Sequence, residues 1–300
     1  LLSIQRGPHY NTPKDKLVIV AANYDTEKDV PGVDDNGSGV AAVLETARTL
    51  ATFDKVYGRL NTIIYAFFDM KHQVRHHAFV EEVLLPYLAH TNTTVAGVLI
   101  LDGLLHFDAF PTSQGVPKGF EEMFPTAARE LHEHQHMGDY IQVTGRERKD
   151  DDALQIFFDA FYLSTAKLTQ DWSFQPWLLL LRLPMHTLTS VDDYWFADST
   201  WCLFLRAQGN LKMCCGTFLF AVKFRGVRQY CPYCDSLFML TDPNMRFLTV
   251  IVEAVIRTVI FLSESEARTV VDDLLQFQRP NNFGLKSLDS HEGANLMRYP

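Results

Sequence analysis

Leu17-Val-Ile-Val-Ala-Ala22 and, across a loop, Val33-Asp-Asp-Asn-Gly-Ser-Gly39 form the stretch that decides the fold. An unbroken apolar run without alternation is typical of a β-strand that is covered on both faces of its sheet. Asn36-Gly-Ser38 offers N-cap chemistry, and apolar residues recur at helical spacing from Gly39 to Thr52. The stretch therefore predicts a buried strand, a polar loop and an amphipathic helix.

The alternation of strand and helix continues along the chain. Apolar runs predict further strands at Thr62–Phe68, Val95–Leu101 and Tyr140–Gly145. Helices are predicted at Ala78–Leu88 (ending near Pro86), Phe120–Gln135, Asp151–Leu168, Phe247–Leu262 and Ser265–Phe277. This order predicts an α/β fold, a three-layer α/β/α sandwich with a mixed, mostly parallel sheet. We expect a single domain over residues 1–280 and a polar C-terminal tail over residues 281–300.

Composition argues against two classes of protein. The formal net charge of −9 is unlike that of a nucleic-acid-binding surface, which needs clustered Lys and Arg. Glu253 and Arg257 interrupt the longest apolar helix, so we interpret it as a buried amphipathic helix and expect no membrane span.

Polar side chains follow three of the predicted strands where each strand ends. Asn23 and Asp25 follow the first strand, Asp69 the second and Asp102 the third, while Asp34 lies before a helix N-terminus. Ligands of open α/β sheets bind beyond the carboxyl ends of the strands, and carboxylates are ligands for zinc and for hard cations. Any one of these residues can equally serve to turn the chain. The ordered set predicts a vestigial or intact metal site.

The motifs resemble those of the zinc metallopeptidase family that contains bacterial leucyl aminopeptidases and animal glutaminyl cyclases. The family's His-x-Asp-Ser corresponds to Asn23-Tyr-Asp-Thr26, and its Gly-Ala-Asp-Asp-Asn-x-Ser-Gly to Gly32-Val-Asp-Asp-Asn-Gly-Ser-Gly39. Lys71 and His72 stand where the family has a Glu-Glu pair, and Asp102 matches its aspartate after a strand. The resemblance implies a zinc-exopeptidase-like fold.

The same resemblance assigns roles to these positions. It makes Asp34 the bridging metal ligand, with Asp102 and His72 as vestigial or possible ligands, and it places Asn23 at a lost ligand position. Lys71 occupies the position of the general base, so no intact catalytic set is expected.

One later segment extends the resemblance, and one later ligand position departs from it. Tyr194-Trp-Phe-Ala-Asp198-Ser199 resembles the family's Phe-Trp-x-Ser-Asp-His, and Asp25 and Asp198 are expected to contribute to binding. The family's last ligand is a histidine, but no histidine occurs between His186 and His291. We therefore expect no cofactor, or zinc if the family site is still occupied, and a peptide or protein partner at the former active-site cleft. Without zinc, the Lys71 ammonium can serve as a counter-charge between Asp34 and Asp102.

Two enzymatic alternatives remain open. The first is a metallo-aminopeptidase with an altered mononuclear site at Asp34, His72 and Asp102, although a lysine beside a cation is a poor general base. The second is a thiol oxidoreductase that uses Cys231-Pro-Tyr-Cys234, for which a structural disulfide is the simpler explanation. The Asn92-Thr-Thr sequon and the resemblance together favour a secreted or lumenal location.

Overall fold

The structure, a computed structural model, describes residues 1–26, 28–69, 79–115, 119–146, 151–173, 175–183, 202–206 and 235–266. The strands of this part form one sheet of seven: β1 Leu2–Gln5, β2 Lys16–Asn23, β3 Ile63–Phe68, β4 Thr94–Asp102, β5 Tyr140–Arg146, β6 Trp177–Leu183 and β7 Cys202–Arg206. Its order is β1-β3-β2-β4-β7-β5-β6.

The sheet is mixed and mostly parallel, as the sequence predicts. The pairs β2–β3, β2–β4, β4–β7 and β5–β6 are parallel, whereas β1–β3 and β5–β7 are antiparallel. The central strand β2 lies between β3 and β4, so its backbone hydrogen-bonding groups are paired on both sides. The carboxyl ends of these three strands therefore meet at one edge of the sheet.

Helices cover both faces of the sheet. They are α1 Gly39–Phe53, α2 Leu85–Thr91 after a π-helical turn Phe79–Leu84, α3 Phe120–Met123, α4 Pro125–Glu133, α5 Asp151–Leu168 and α6 Asp242–Leu262. Along β2, Val18, Val20 and Ala22 belong to the core shared with α1, α5 and α6. The alternate residues of β2, from Leu17 to Ala21, pack with Phe79, Val80 and Leu84 on the opposite face. This alternation confirms the three-layer α/β/α arrangement.

Two helix predictions need correction at prolines. Helical structure does not end near Pro86, because it continues from the turn Phe79–Leu84 through α2 to Thr91, with Pro86 in the first turn of α2. The helix predicted over Phe120–Gln135 is two helices, since Phe124 has φ −132° and ψ 65°, and Pro125 opens the second. In both places proline begins a helix instead of ending one.

Helix α6 begins before the predicted start at Phe247. Thr241 is its N-cap and accepts a hydrogen bond from the Asn244 N–H at 3.4 Å, and Pro243 lies in the first turn. No helix in the described part of the chain has the length and hydropathy that a bilayer crossing needs. Most of the helix predicted over Ser265–Phe277 and the whole of the polar tail lie outside the described residues.

A buried arginine attaches the edge strand β1 to the rest of the sheet. Arg59 forms an ion pair with Asp54 at 2.7 Å and donates to the carbonyl oxygens of Gln5 and Asn61 at 3.0 and 2.7 Å. The Gln5 side chain in turn donates to Asp54 and accepts from the Tyr65 hydroxyl. This network links β1 to β3 and to the end of α1 through side chains as well as through backbone pairing.

Candidate functional site

The candidate site begins where the three central parallel strands end. In the β2–β3 register Asn23 lies opposite Phe68, and in the β2–β4 register Ala22 lies opposite Leu101. Asn23 and Asp102 are therefore the last residues of adjacent strands, about 5 Å apart along the backbone pairing direction. Both are buried, at 5% and 1% exposure. The prediction that these strand ends meet is confirmed by this register.

The loop that carries Asp34 follows Gly32, which has φ 69°. A Cβ at Gly32 would collide with the Thr26 side chain, so the turn requires glycine for both its conformation and its close approach. Residues Val33–Ser38 form an irregular turn, in which Asp35 and Asn36 have non-helical backbone angles and are joined by a cis peptide bond. The turn directs three polar side chains, those of Asp34, Asn36 and Ser38, into the protein.

These three side chains bind consecutive N–H groups of the segment after β4. Asn36 Oδ1 accepts from Gly103 at 2.9 Å, Ser38 Oγ from Leu104 at 2.7 Å and Asp34 Oδ1 from Leu105 at 2.7 Å. The Asp-Asp-Asn-Gly-Ser motif thus holds the backbone that leaves β4 at Asp102. This structural role was not visible from the sequence, because its hydrogen-bond partners lie more than sixty positions away.

The remaining atoms of the motif bind its neighbours. Asn36 Nδ2 donates to the carbonyl oxygens of Asn23 and Leu101, both at 2.9 Å, and so joins the ends of β2 and β4. The Ser38 hydroxyl has one proton, which it shares between the Asp34 carbonyl oxygen at 2.7 Å and Asp34 Oδ1 at 3.1 Å. Ser38 makes no side-chain cap hydrogen bond to α1, so the N-cap role predicted for this segment is wrong.

Asp235 is a site residue that the sequence analysis missed. Its carboxylate accepts hydrogen bonds from two consecutive backbone N–H groups, Asp34 N to Oδ1 at 2.6 Å and Asp35 N to Oδ2 at 3.0 Å. Asp235 is buried at 3% exposure and lies 201 positions from Asp34 in the sequence. Its position directly after Cys234 gives no signal of this contact.

Burial dominates the electrostatics of Asp34. The pKa of its carboxyl is raised from 3.8 to about 7, chiefly by loss of solvent and to a smaller extent by the charges of Asp235 and Asp35. The hydrogen bonds from the Leu105 N–H and the Ser38 hydroxyl act in the opposite direction but are weaker than the desolvation. Asp34 is therefore close to half-protonated at neutral pH.

The described residues do not by themselves fit a catalytic zinc ion. A catalytic zinc takes three protein ligands, whereas no group of three or more His, Cys, Asp or Glu side chains suited to a metal occurs in the part of the chain that is described. Asp34 and Asp102 lie in this part, and Asp34 Oδ1 already accepts two hydrogen bonds. Asp25 is partly exposed in the loop after β2. Lys71, His72, Asp198, Cys231 and Cys234 lie outside the described residues.

Comparison with known families finds a match to the N-terminal part of the chain. Residues 5–73 match the model of "Peptidase family M28". This match confirms the resemblance to the aminopeptidase family, and it includes β2, the Asp34 loop, α1 and β3. A comparison with curated proteins finds no match.

Three solved structures are among those to which the chain is similar. LapB from Legionella pneumophila is 15% identical, with a TM-score of 0.47 and coverage of 87% of this chain and 55% of that one. BSAP, a zinc aminopeptidase from Bacillus subtilis, is 16% identical, with a TM-score of 0.44 and coverage of 85% and 48%. An aminopeptidase from Aneurinibacillus sp. strain AM-1 is 11% identical, with a TM-score of 0.48 and coverage of 86% and 46%. The chain spans about half the length of these structures.

Proposed function

We propose that this chain, whose residues 5–73 match peptidase family M28, uses a metallopeptidase frame to bind a peptide or protein without hydrolysing it. One observation carries the proposal. The side chains of Asp34, Asn36 and Ser38 hold three consecutive N–H groups of the segment after β4. These residues therefore have a structural role that is independent of any metal.

This role explains how a nearly complete motif can coexist with departures elsewhere in the site. Replacing any of the three side chains leaves a buried N–H without its acceptor, which costs about 1–3 kcal/mol. Selection for stability alone would thus retain the Asp34 loop.

The residues that differ from the family motif are ones that weaken zinc binding and catalysis by zinc. A carboxamide at Asn23 is a weaker zinc ligand than an imidazole, and Lys71 replaces a carboxylate with a cation. In this proposal Lys71 is not a general base and His72 is not a ligand. Asp25 and Asp198 contribute polar groups to the peptide-binding cleft.

Calorimetric titration with short peptides tests the proposal. We expect peptides with a free amino terminus to bind, with the same affinity in the presence and absence of a chelator, and to be recovered intact. Asp25→Asn should weaken binding by about tenfold, the effect of losing one charge-assisted hydrogen bond. Asp29→Asn is the matched control, because Asp29 is an exposed residue of the same loop. Absence of binding for every peptide of a varied library contradicts the proposal.

Two other results would select the enzymatic alternatives. Peptide hydrolysis that a chelator abolishes and zinc restores indicates the metallo-aminopeptidase with ligands Asp34, His72 and Asp102. Disulfide exchange that resists chelators but is lost on alkylation of Cys231 or Cys234 indicates the thiol oxidoreductase.

A further inference from the structure

Two residues, one in the segment that leads into α6 and one in its first turn, each contact one of the two loops that build the candidate site. Asp235 lies before the 3₁₀ turn Leu237–Met239, and Asn244 lies in the first turn of α6. Asp235 binds the loop of Asp34, as described above. Asn244 Oδ1 accepts the N–H of Phe107 at 2.9 Å, in the segment that continues from Leu105.

Asn244 is itself fixed by its own helix terminus. Its Nδ2 donates to the Met239 carbonyl oxygen at 2.7 Å, and its backbone N–H donates to the Thr241 hydroxyl. Asn244 is buried at 7% exposure. The side chain therefore has little freedom to turn away from Phe107, and the segment after β4 is held at a defined distance from α6.

The two contacts converge on the Asp34 carboxylate. Asp235 sets the backbone from which this side chain projects, and Asn244 sets the segment whose Leu105 N–H binds Asp34 Oδ1. A shift of either loop changes the same hydrogen bond. We propose that Asp235 and Asn244 are positioning residues, which clamp the two site loops onto α6 and the segment that leads into it, so that the Asp34 side chain keeps one orientation.

The clamp gives α6 a role in ligand binding, and this role rests on the proposed function. Helix α6 packs in the core with α1 and α5, so it is a rigid support for the loops. The loops themselves lie at the carboxyl ends of β2 and β4, where a peptide is expected to bind. Loosening the clamp should thus weaken peptide binding without unfolding the sheet.

Amide hydrogen exchange, resolved to single residues by NMR, tests the clamp. In the wild-type protein the Asp34 and Asp35 amides should exchange slowly although they lie in a loop. In Asp235→Asn one acceptor oxygen is replaced by an NH₂ group, and these two amides should exchange at least about tenfold faster. Asn244→Ala should accelerate exchange at Phe107 and Leu105 in the same way.

Asp15→Asn is the matched control. Asp15 is equally buried and accepts a backbone N–H, that of Thr62 at 2.9 Å, but it lies at the start of β2, at the opposite edge of the sheet. We expect Asp15→Asn to leave exchange at Asp34 and Asp35 and the peptide affinity unchanged. Asp235→Asn should lower the peptide affinity, and Asp235→Glu, which keeps both oxygens and the charge, should restore part of it.

The outcomes separate the clamp from the proposed function. Fast exchange at Asp34 and Asp35 in the wild-type protein overturns the clamp, and this measurement needs no variant to fold. An equal acceleration at these amides in Asp15→Asn also overturns it, because the effect is then global. If the wild-type protein binds no peptide, the proposed function fails, while the exchange data still decide whether Asp235 and Asn244 hold the loops.

Discussion

The buried Asp34 carboxyl makes stability depend on pH in an unusual direction. Its pKa is raised from 3.8 to about 7 in the folded protein. Between these values the folded state holds a proton that the unfolded state has released, so stability falls as pH rises. This difference in pKa corresponds to a contribution of about 4 kcal/mol to the free energy of unfolding. The contribution is present in full below pH 4 and absent above pH 7.

Asp34→Asn removes this dependence while keeping an acceptor oxygen for the Leu105 N–H and the Ser38 hydroxyl. We expect the variant to match the wild-type protein near pH 4 and to become the more stable of the two as pH rises to 8. At pH 8 the free energy of unfolding of the variant should exceed that of the wild-type protein by about 4 kcal/mol, reduced by any relaxation of the loop in the wild-type protein. Urea unfolding followed by tryptophan fluorescence at intervals between pH 4 and pH 8 measures it.

A surface carboxylate provides the control for this titration. The hydrogen bond from Arg48 lowers the pKa of Glu45, so Glu45→Gln removes a contribution that is present at neutral pH and lost in acid. Its effect has the opposite sign to that of Asp34→Asn, and solvent screening keeps it small. A stability difference between wild type and Asp34→Asn that is the same at pH 5 and pH 8 refutes the reasoning, because Asp34 would then be ionised in the fold at its ordinary pKa.

Two further substitutions test how the frame is held together. Gly39→Ala should destabilise the protein by about 1–3 kcal/mol in thermal or urea unfolding, because the new Cβ would collide with Asn36 Oδ1 and lie 2.7 Å from the Leu101 carbonyl oxygen. Ala41→Gly, on the exposed side of α1, is the control. Equal losses of stability in the two variants would contradict the proposed collision. Arg59→Met should cost about 3–5 kcal/mol, since it removes the ion-pair partner of Asp54 and the donor to two carbonyl groups. Arg48→Met, on the exposed face of α1, should cost less than about 1 kcal/mol. A loss below 1 kcal/mol for Arg59→Met would show that water replaces the arginine at little cost.

The central part of the fold could be predicted from the sequence because its signals are local. The apolar run Leu17–Ala22 has no polar residue on either face, and the structure buries both faces of β2. The strand ends follow from the same pattern, which is why Asn23 and Asp102 could be placed at one edge in advance. The errors at Pro86 and Phe124 arose where a proline opens a helix, a role that its missing N–H permits but that periodicity alone does not reveal.

The hydrogen bonds within the site could not be predicted, because their partners are distant in sequence. The spacing of Asp34, Asn36 and Ser38 indicated a metal-site loop, but not that the side chains bind Gly103, Leu104 and Leu105. Asp235 had no local signal at all. Thr241-Asp-Pro-Asn244 did carry one, since threonine followed by proline is typical of a helix N-terminus, and it would have placed the start of α6 correctly.

The most direct test of the proposed loss of zinc chemistry is the zinc content of the purified protein. The chain should be produced in zinc-supplemented cells, dialysed mildly and measured by elemental analysis, beside the variant Asn23→His, Lys71→Glu, His72→Glu, which restores three family side chains. We expect the wild-type chain to contain far less than one zinc ion per molecule and the variant to contain more. One zinc ion per wild-type chain, retained through dialysis, would contradict the account.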